Sequence, residues 1–341
     1  MEIHSLLNRV LDGDSLDAGE ATFLMEKAMS GELGEIRLSA FLSGLRAKGE
    51  TGEEIGAFAK VMRENAVPLH APFPVIDTCG TGGDHSSLFN VSTLSAVVLA
   101  ARGYKVAKHG NRAVSSHMGS ADILEALGYP LHETPTESLD RLNKTGFAFL
   151  FAPSYHPAMK YAAPVRKELK VRTVFNLLGP LSNPAKAEIH VLGVFQEKLV
   201  DTMAKALQFL GVKNALVVHS REGYDEISPL SKTAYAEIEN QNITHGEIDP
   251  SLFGLRIQNV RDIQAFTAEE GLAIAQGVLS GSHLAAIETV ALNAAASEYL
   301  HEKHSGNNPG DFPSFMKNRI PEIISFIQSK KVKELTDAWK Q

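Results

Sequence analysis

From residue 75 onward, short apolar runs alternate with longer stretches of helical periodicity. Val75-Ile76, Tyr104-Lys105-Val106-Ala107 and residues 147–151, 189–195 and 215–218 are the strand candidates. Residues 94–101, 121–127, 136–143 and 197–210 are the helices between them. Strands that alternate with helices are joined by crossovers and pair in parallel, so this rhythm confines the chain to an α/β layer with a mostly parallel central sheet. After Ser228 the pattern loosens. Residues 234–238 and 255–260 still look like strands, 268–300 like two Ala-rich helices and 321–339 like a last helix.

The first 66 residues follow a different rule. Ile3, Leu6, Leu7, Val10 and Leu11 line one helical face. Asp17 with Glu20, and Thr51 with Glu54, are spaced as capping boxes, and Gly31 and Gly49 are stop signals. The expectation is four short helices forming a small all-helical domain over residues 1–70. Residues 67–74 hold three prolines and form a linker, leaving 71–341 as the α/β domain.

The first α/β strand runs into Asp77-Thr78-Cys79-Gly80-Thr81-Gly82-Gly83-Asp84, and Asn90-Val91-Ser92-Thr93 opens the next helix. A glycine turn between a strand and a helix start puts backbone N–H groups and the helix dipole at one point, where phosphate binds. The spacing is neither that of a Walker loop nor that of the dinucleotide fingerprint. In an open α/β sheet ligands gather beyond the carboxyl ends of strands, and three more polar clusters lie there. Lys108-His109-Gly110-Asn111-Arg112-Ala113-Val114-Ser115-Ser116, with Ser120, brings cations, an amide and hydroxyls suited to an anion with many oxygens. In this cluster His109 is also compatible with a packed core histidine and ranks below Lys108. Arg166, Lys167, Lys170 and Arg172 follow Tyr155-His156-Pro157 on a helical stretch, and the pattern does not choose among them. Asp225-Glu226 follows the run 215–218 and offers carboxylates to Mg²⁺, which favours one or two of them together with water and substrate phosphates.

These motifs, together with Asn176-Leu177-Leu178-Gly179-Pro180, resemble the anthranilate phosphoribosyltransferases of tryptophan biosynthesis, in order and over nearly the whole chain. The resemblance implies a helical domain hinged to an α/β domain of the nucleoside phosphorylase kind, with residues of about 165–190 contributing to the hinge. It implies transfer of ribose 5-phosphate from 5-phosphoribosyl 1-pyrophosphate to the amine of anthranilate, the second step from chorismate, by a Mg²⁺-dependent homodimer. Gly80, Gly83, Asp84, Asn90, Val91, Ser92, Thr93, Lys108, His109, Gly110, Asn111, Arg112, Ala113, Val114, Ser115, Ser116 and Ser120 would hold the donor. Ser92, Asp225 and Glu226 would hold the metal. Gly80, Asn111 and Arg166 would meet anthranilate. The amine is neutral and nucleophilic at neutral pH, so the expected site has no protein nucleophile.

Where the family usually has glycine this chain has His85, and Leu88 replaces a frequent Ser or Thr. His117-Met118, Ser220, Glu222 and Tyr224 are further departures. A pyrimidine nucleoside phosphorylase would need a Lys-x-Ser-Thr-Gly-Gly type loop, and Thr78-Cys79 precede the glycines instead. A nucleic-acid-binding relative would carry a basic groove, and the net charge is −7. That balance also argues against an acidic membrane surface, and no run approaches the roughly 18 apolar residues of a membrane span. The first residues lack the basic start and apolar core of a secretory signal. The single cysteine, Cys79, fits a reducing cytoplasm, and its place beside the glycine turn suits a small half-buried filler.

Overall fold

The computed structural model describes residues 2–84, 87–113, 118–257 and 259–340. Four helices open the chain: α1 (Ile3–Leu11), α2 (Ala18–Met29), α3 (Glu35–Lys48) and α4 (Gly52–Glu64). Both expected capping boxes form. The Asp17 side chain accepts from the Glu20 N–H and Thr51 from the Glu54 N–H, each answered by the glutamate. Glu54 is wholly buried and pairs with Lys48 at 2.7 Å, so the second box also closes the α3–α4 corner.

The α/β part runs β1 (Ile76–Gly80), α5 (Val91–Ala101), β2 (Val106–Gly110), α6 (Ser120–Ala126), α7 (Pro135–Thr145) and β3 (Phe147–Phe151). Short helical pieces follow, α8 (Ala152–Tyr155), α9 (Ala163–Leu169) and α10 (Phe175–Leu178); Pro164 sits in the first turn of α9, which carries Arg166 and Lys167 and ends before Lys170 and Arg172. Then come β4 (Ile189–Gly193), α11 (Leu199–Phe209), β5 (Asn214–Ser220), β6 (Thr233–Glu239) and β7 (Asn242–Ile248). The chain ends in α12 (Ala268–Leu279), α13 (Leu284–His304), α14 (Phe312–Gln328) and α15 (Lys331–Asp337).

Among the described residues the sheet has the order β3-β2-β1-β4-β5-β6-β7. The strands from β3 to β5 pair in parallel, whereas β6 and β7 are antiparallel. The chain moves outward one way through β2 and β3 and the other way through β4 and β5, so the order reverses between β1 and β4. A crevice opens at the carboxyl ends of strands at such a reversal.

Two sequence expectations fail here. The described part of 255–260 is not a strand. The Glu288 carboxylate on α13 accepts from the N–H groups of Arg256 and Ile257 at 2.8 and 2.9 Å, taking the donors a strand partner would need. The missed strand is β7, a weakly apolar edge strand joined to β6 by Asn240 and Gln241, both at positive φ as a two-residue hairpin turn requires. The stretch 321–339 is also not one helix beginning at Pro321. It is split between α14, which ends at Gln328, and α15, and α14 starts at Phe312, capped by Asp311, because Phe315, Met316, Ile320, Ile323 and Ile327 form one buried stripe across the proline. That packing outweighs the hydrogen bond lost at Pro321.

The helical domain does not have a core of its own. Leu24, Phe41, Leu45 and Phe58 join one cluster with Val165, Phe175, Leu178 and Leu181, and with Leu192, Met203 and Val217 from one side of the sheet. The approach is close along α4. A methyl group on Gly52 would stand 2.6 Å from Cβ of Lys205 on α11, and one on Gly56 would stand 2.7 Å from the Phe209 ring. Only glycine at these two positions, one turn apart, lets the helices meet at that separation.

Candidate functional site

At the end of β1 the chain turns through Gly82 and Gly83, at φ +66° and +76°. Three anchors hold this loop. The Thr81 N–H donates to the Gly193 carbonyl at 2.9 Å, the Phe195 N–H donates to Thr81 Oγ1 at 3.2 Å, and the Gly82 N–H donates to Asp225 Oδ2 at 2.7 Å. Gly80 is required by that last contact, since a methyl group there would lie 2.3 Å from Asp225 Oδ2.

Asp225 and Glu226, in the loop after β5, meet α5. The Ser92 N–H, in its first turn, donates to Glu226 Oε1 at 3.3 Å. Lys108 ties the neighbouring strands to the same point. It is 2% exposed, and its ammonium donates to the Thr78 carbonyl and to Ser92 Oγ, the latter at 3.3 Å. Thr78 Oγ1 in turn donates to the Ser92 carbonyl at 2.9 Å. Burial pushes the Asp225 carboxyl up from its ordinary pKa, and the charge of Asp84 pushes it further, against the Gly82 hydrogen bond. Glu226 is raised well above its ordinary value by burial and by Asp225, with Lys108 opposing. Two carboxylates and a hydroxyl are oxygen groups of the kind that a hard divalent cation takes.

The loop after β2 is bound to the first by Asn90, whose amide donates to the Met118 carbonyl at 3.1 Å. Asn111 caps the turn, its carbonyl accepting from Ser120 Oγ at 3.1 Å. Gly110 faces that hydroxyl, and a methyl group there would lie 2.2 Å from it. Arg112 is exposed and pairs with Asp122 and Glu125 on α6 at 3.0 and 2.7 Å. Ala113 donates its N–H to Asp122 at 2.9 Å. Val114, Ser115, Ser116, His85 and His117 lie outside the described residues.

Strand alternation sends His109 to the face opposite Lys108. Its Nδ1 meets the Gly179 carbonyl at 3.1 Å and its ring packs on His156 at 5.0 Å. Nε2 of both histidines is buried with no partner among the described residues. Burial lowers the His109 pKa to about 3, helped by His156, and lowers His156 to about 4. Both rings are therefore neutral near pH 7. Since each folded pKa lies below the unfolded value, their stabilisation is complete above pH ~6.5 and is lost as the pH falls towards 4 and 3. Each group contributes a slope of up to about 1.4 kcal/mol per pH unit. His109→Gln, whose amide can also donate to Gly179, removes one such slope. Between pH 6.5 and 4.5 its thermal midpoint should fall less than that of the unaltered protein. Parallel midpoint-versus-pH curves would show that His109 is not buried neutral.

The four cations left undistinguished by pattern separate clearly. Lys167 and Lys170 are exposed. Arg166 is half-buried over the Phe175 ring at 5.3 Å, and burial lowers its pKa. Arg172 turns to the glycine loop, where its guanidinium donates to the Gly83 carbonyl. Sequence reasoning passed over Arg63 and gave His156 no role beyond opening the third cluster. Arg63 on α4 donates to the Leu181 carbonyl at 2.6 Å, and its only signal was a cation on a largely apolar helix. Beneath the loop, Asp77 is fully buried and accepts from Asn183 at 2.7 Å, with burial raising its pKa to about 6. Cys79 is half-buried as expected, 3.1 Å from His190 Nε2. Burial and then Asp77 push its thiol well up, which keeps it protonated. Leu88 packs on the core and bridges to Gln264, so its apolar side chain serves the loop's attachment.

Residues 73–311 match the glycosyl transferase family α/β domain, and residues 4–66 match the family's helical bundle domain. The chain is 47% identical over 305 residues to the anthranilate phosphoribosyltransferase of Brevibacillus brevis, covering 89% of each. It is 42% identical over 302 residues to that of Lacticaseibacillus casei, covering 89% of this chain and 88% of the other. Among solved structures it is similar to the anthranilate phosphoribosyltransferase of Thermus thermophilus, with TM-score 0.88, 39% identity and 98% of both chains covered. It is also similar to the Saccharomyces cerevisiae enzyme in complex with PRPP and Mg, with TM-score 0.86, 26% identity and coverage of 99% and 96%.

Proposed function

The chain belongs to the glycosyl transferase family, among the anthranilate phosphoribosyltransferases, and from this we infer the chemistry of its site. It transfers the 5-phosphoribosyl group from 5-phosphoribosyl 1-pyrophosphate to the amine of anthranilate, giving N-(5-phosphoribosyl)anthranilate and pyrophosphate, within tryptophan biosynthesis. The observation that carries the reading is the meeting of three loops at the sheet's reversal point. Lys108 touches Ser92, Ser92 touches Glu226, and Gly82 touches Asp225.

In this reading the donor is held by Gly80, Gly83, Asp84, Asn90, Val91, Ser92 and Thr93 from the first loop. Lys108, Gly110, Asn111, Arg112, Ala113, Val114, Ser115, Ser116 and Ser120 complete the hold from the second, whereas His109, expected among them, turns its ring to the other face of the sheet and packs on His156. Mg²⁺ is the cofactor, and its residues are Ser92, Asp225 and Glu226. The raised pKa values of the two carboxylates fit it, because a divalent cation relieves their repulsion. When bound, Mg²⁺ supplies positive charge that favours departure of pyrophosphate. Lys108 adds a buried cation on the same side, and the loop N–H groups orient the phosphates. Gly80, Asn111 and Arg166 hold anthranilate. Its neutral amine attacks the ribose carbon as the C–O bond to pyrophosphate breaks, and holding the two substrates together supplies much of the acceleration. No protein nucleophile takes part.

We further infer that residues 1–70 form a helical domain, with a hinge contribution from about 165–190, and 71–341 the α/β domain; the packing of Val165, Phe175, Leu178 and Leu181 against the bundle supports the contribution of that segment. The protein works as a homodimer, as the family resemblance implies, and in the cytoplasm without nucleic-acid or membrane partners, a reading supported by the net charge of −7 and the single cysteine. No helix among the described residues is long and apolar enough to cross a membrane.

Mixing the protein with Mg²⁺, phosphoribosyl pyrophosphate and anthranilate should give a steady loss of anthranilate fluorescence that needs all three. Folded protein without turnover would overturn the assignment.

A further inference from the structure

Arg172 stands between the helical bundle and the glycine loop. Its guanidinium lies 4.4 Å from the centre of the Phe195 ring and donates to the Gly83 carbonyl. Phe195 also supports the same loop through its N–H to Thr81 Oγ1 at 3.2 Å. The fit at Gly83 is tight. A methyl group there would meet Arg172 Nη2 at 2.7 Å and Cζ at 3.0 Å. On its other side, the Arg172 carbonyl accepts from the guanidinium of Arg46, an exposed residue in the last turn of α3. The bundle thus holds Arg172 by its main chain, and Arg172 holds the loop by its side chain.

We propose that Arg172 is a positioning residue for the phosphoribosyl donor, fixing the Gly83 end of the loop from the helical side. The placement of α3 then reaches the donor cradle through Arg46, Arg172 and Gly83. The proposal rests on the reading that this loop holds the donor. Gly82 and Gly83 leave the loop conformationally free, and a free loop must be ordered when the donor binds. A guanidinium clamped on a ring and a carbonyl removes that cost before binding. Lysine cannot replace it, because an ammonium does not stack flat on Phe195 while donating from the plane of a fork.

The test is steady-state kinetics with each substrate varied, in Arg172→Ala, Arg172→Lys, Arg46→Ala and the double variant Arg46→Ala/Arg172→Ala. Losing a hydrogen bond from a charged donor predicts a rise in the donor KM of about tenfold in Arg172→Ala. The anthranilate KM should stay within about twofold, and Arg172→Lys should recover little of the loss. Arg46→Ala, on the bundle surface, should raise the donor KM in the same direction by about threefold, and the double variant should be no worse than Arg172→Ala alone. Additive effects of the two changes, equal rises in both KM values, or full recovery in Arg172→Lys would overturn the proposal. If Arg172→Ala loses its cooperative thermal transition, Arg46→Ala decides alone, and an unchanged donor KM overturns the proposal. The unaltered protein is assayed alongside. Its failure to turn over would refute the functional reading, whereas active variants with unshifted donor KM refute only the role of Arg172.

Discussion

Replacing Asp225 and Glu226 together with alanine should lower kcat/KM by about 10²- to 10³-fold and change the Mg²⁺ dependence of what remains. The expectation follows from what the two side chains do. They are carboxylates forced together under the loop after β1, each raised in pKa by burial and by a neighbouring charge. Without them nothing else described at that point offers a charged oxygen except Asp84. The same raised values make a second, opposite prediction for stability. A carboxyl whose folded pKa exceeds its unfolded value holds its proton more tightly in the folded state. Metal-free stability therefore falls as the pH rises above the ordinary carboxylate range. The double alanine variant loses that penalty, so its metal-free thermal midpoint near pH 7.5 should hold or rise while activity collapses. Added Mg²⁺ should raise the midpoint of the unaltered protein more than that of the variant, because only the former gains a folded-state ligand. A Mg²⁺ titration of activity with an unchanged midpoint in the variant would place the metal elsewhere.

Arg166→Ala should raise the KM for anthranilate by about 10- to 100-fold, the range for losing a hydrogen bond or ion pair to a charged group in a partly buried site. The donor KM should change by less than about twofold, since no hydrogen bond links Arg166 to the loops after β1, β2 or β5 among the described residues. Arg166→Lys should restore little, because the guanidinium lies over Phe175 and an ammonium loses that stacking. Varying each substrate at saturating levels of the other checks this. Equal losses for donor and acceptor would mean that Arg166 acts by holding α9 against the bundle.

The parts of the fold legible in sequence were those where one force dominates. β3 reads Phe147-Ala148-Phe149-Leu150-Phe151 and is buried at every residue, so composition alone identifies it. The boxes at Asp17 and Thr51 are local hydrogen-bond patterns and form as spaced. β7 was illegible because its identity comes from pairing with β6 across a two-residue turn, not from its own apolar content. Residues 255–257 failed for the converse reason, since a carboxylate distant in the chain claims their N–H groups. In the site, the loops were legible because glycine, cations and carboxylates follow strands. The turning of His109 away from Lys108, and the separate fates of Arg166 and Arg172, depend on which face of an element meets which neighbour. No single-residue signal carries that.

The glycines of α4 bear on how the two halves can move. With Gly52 set against Lys205 and Gly56 against Phe209, α4 and α11 are notched together, and sliding would drive a backbone into a side chain. The notch therefore fixes the register of the bundle against the α/β domain, and with it the height at which Arg46 meets the Arg172 carbonyl.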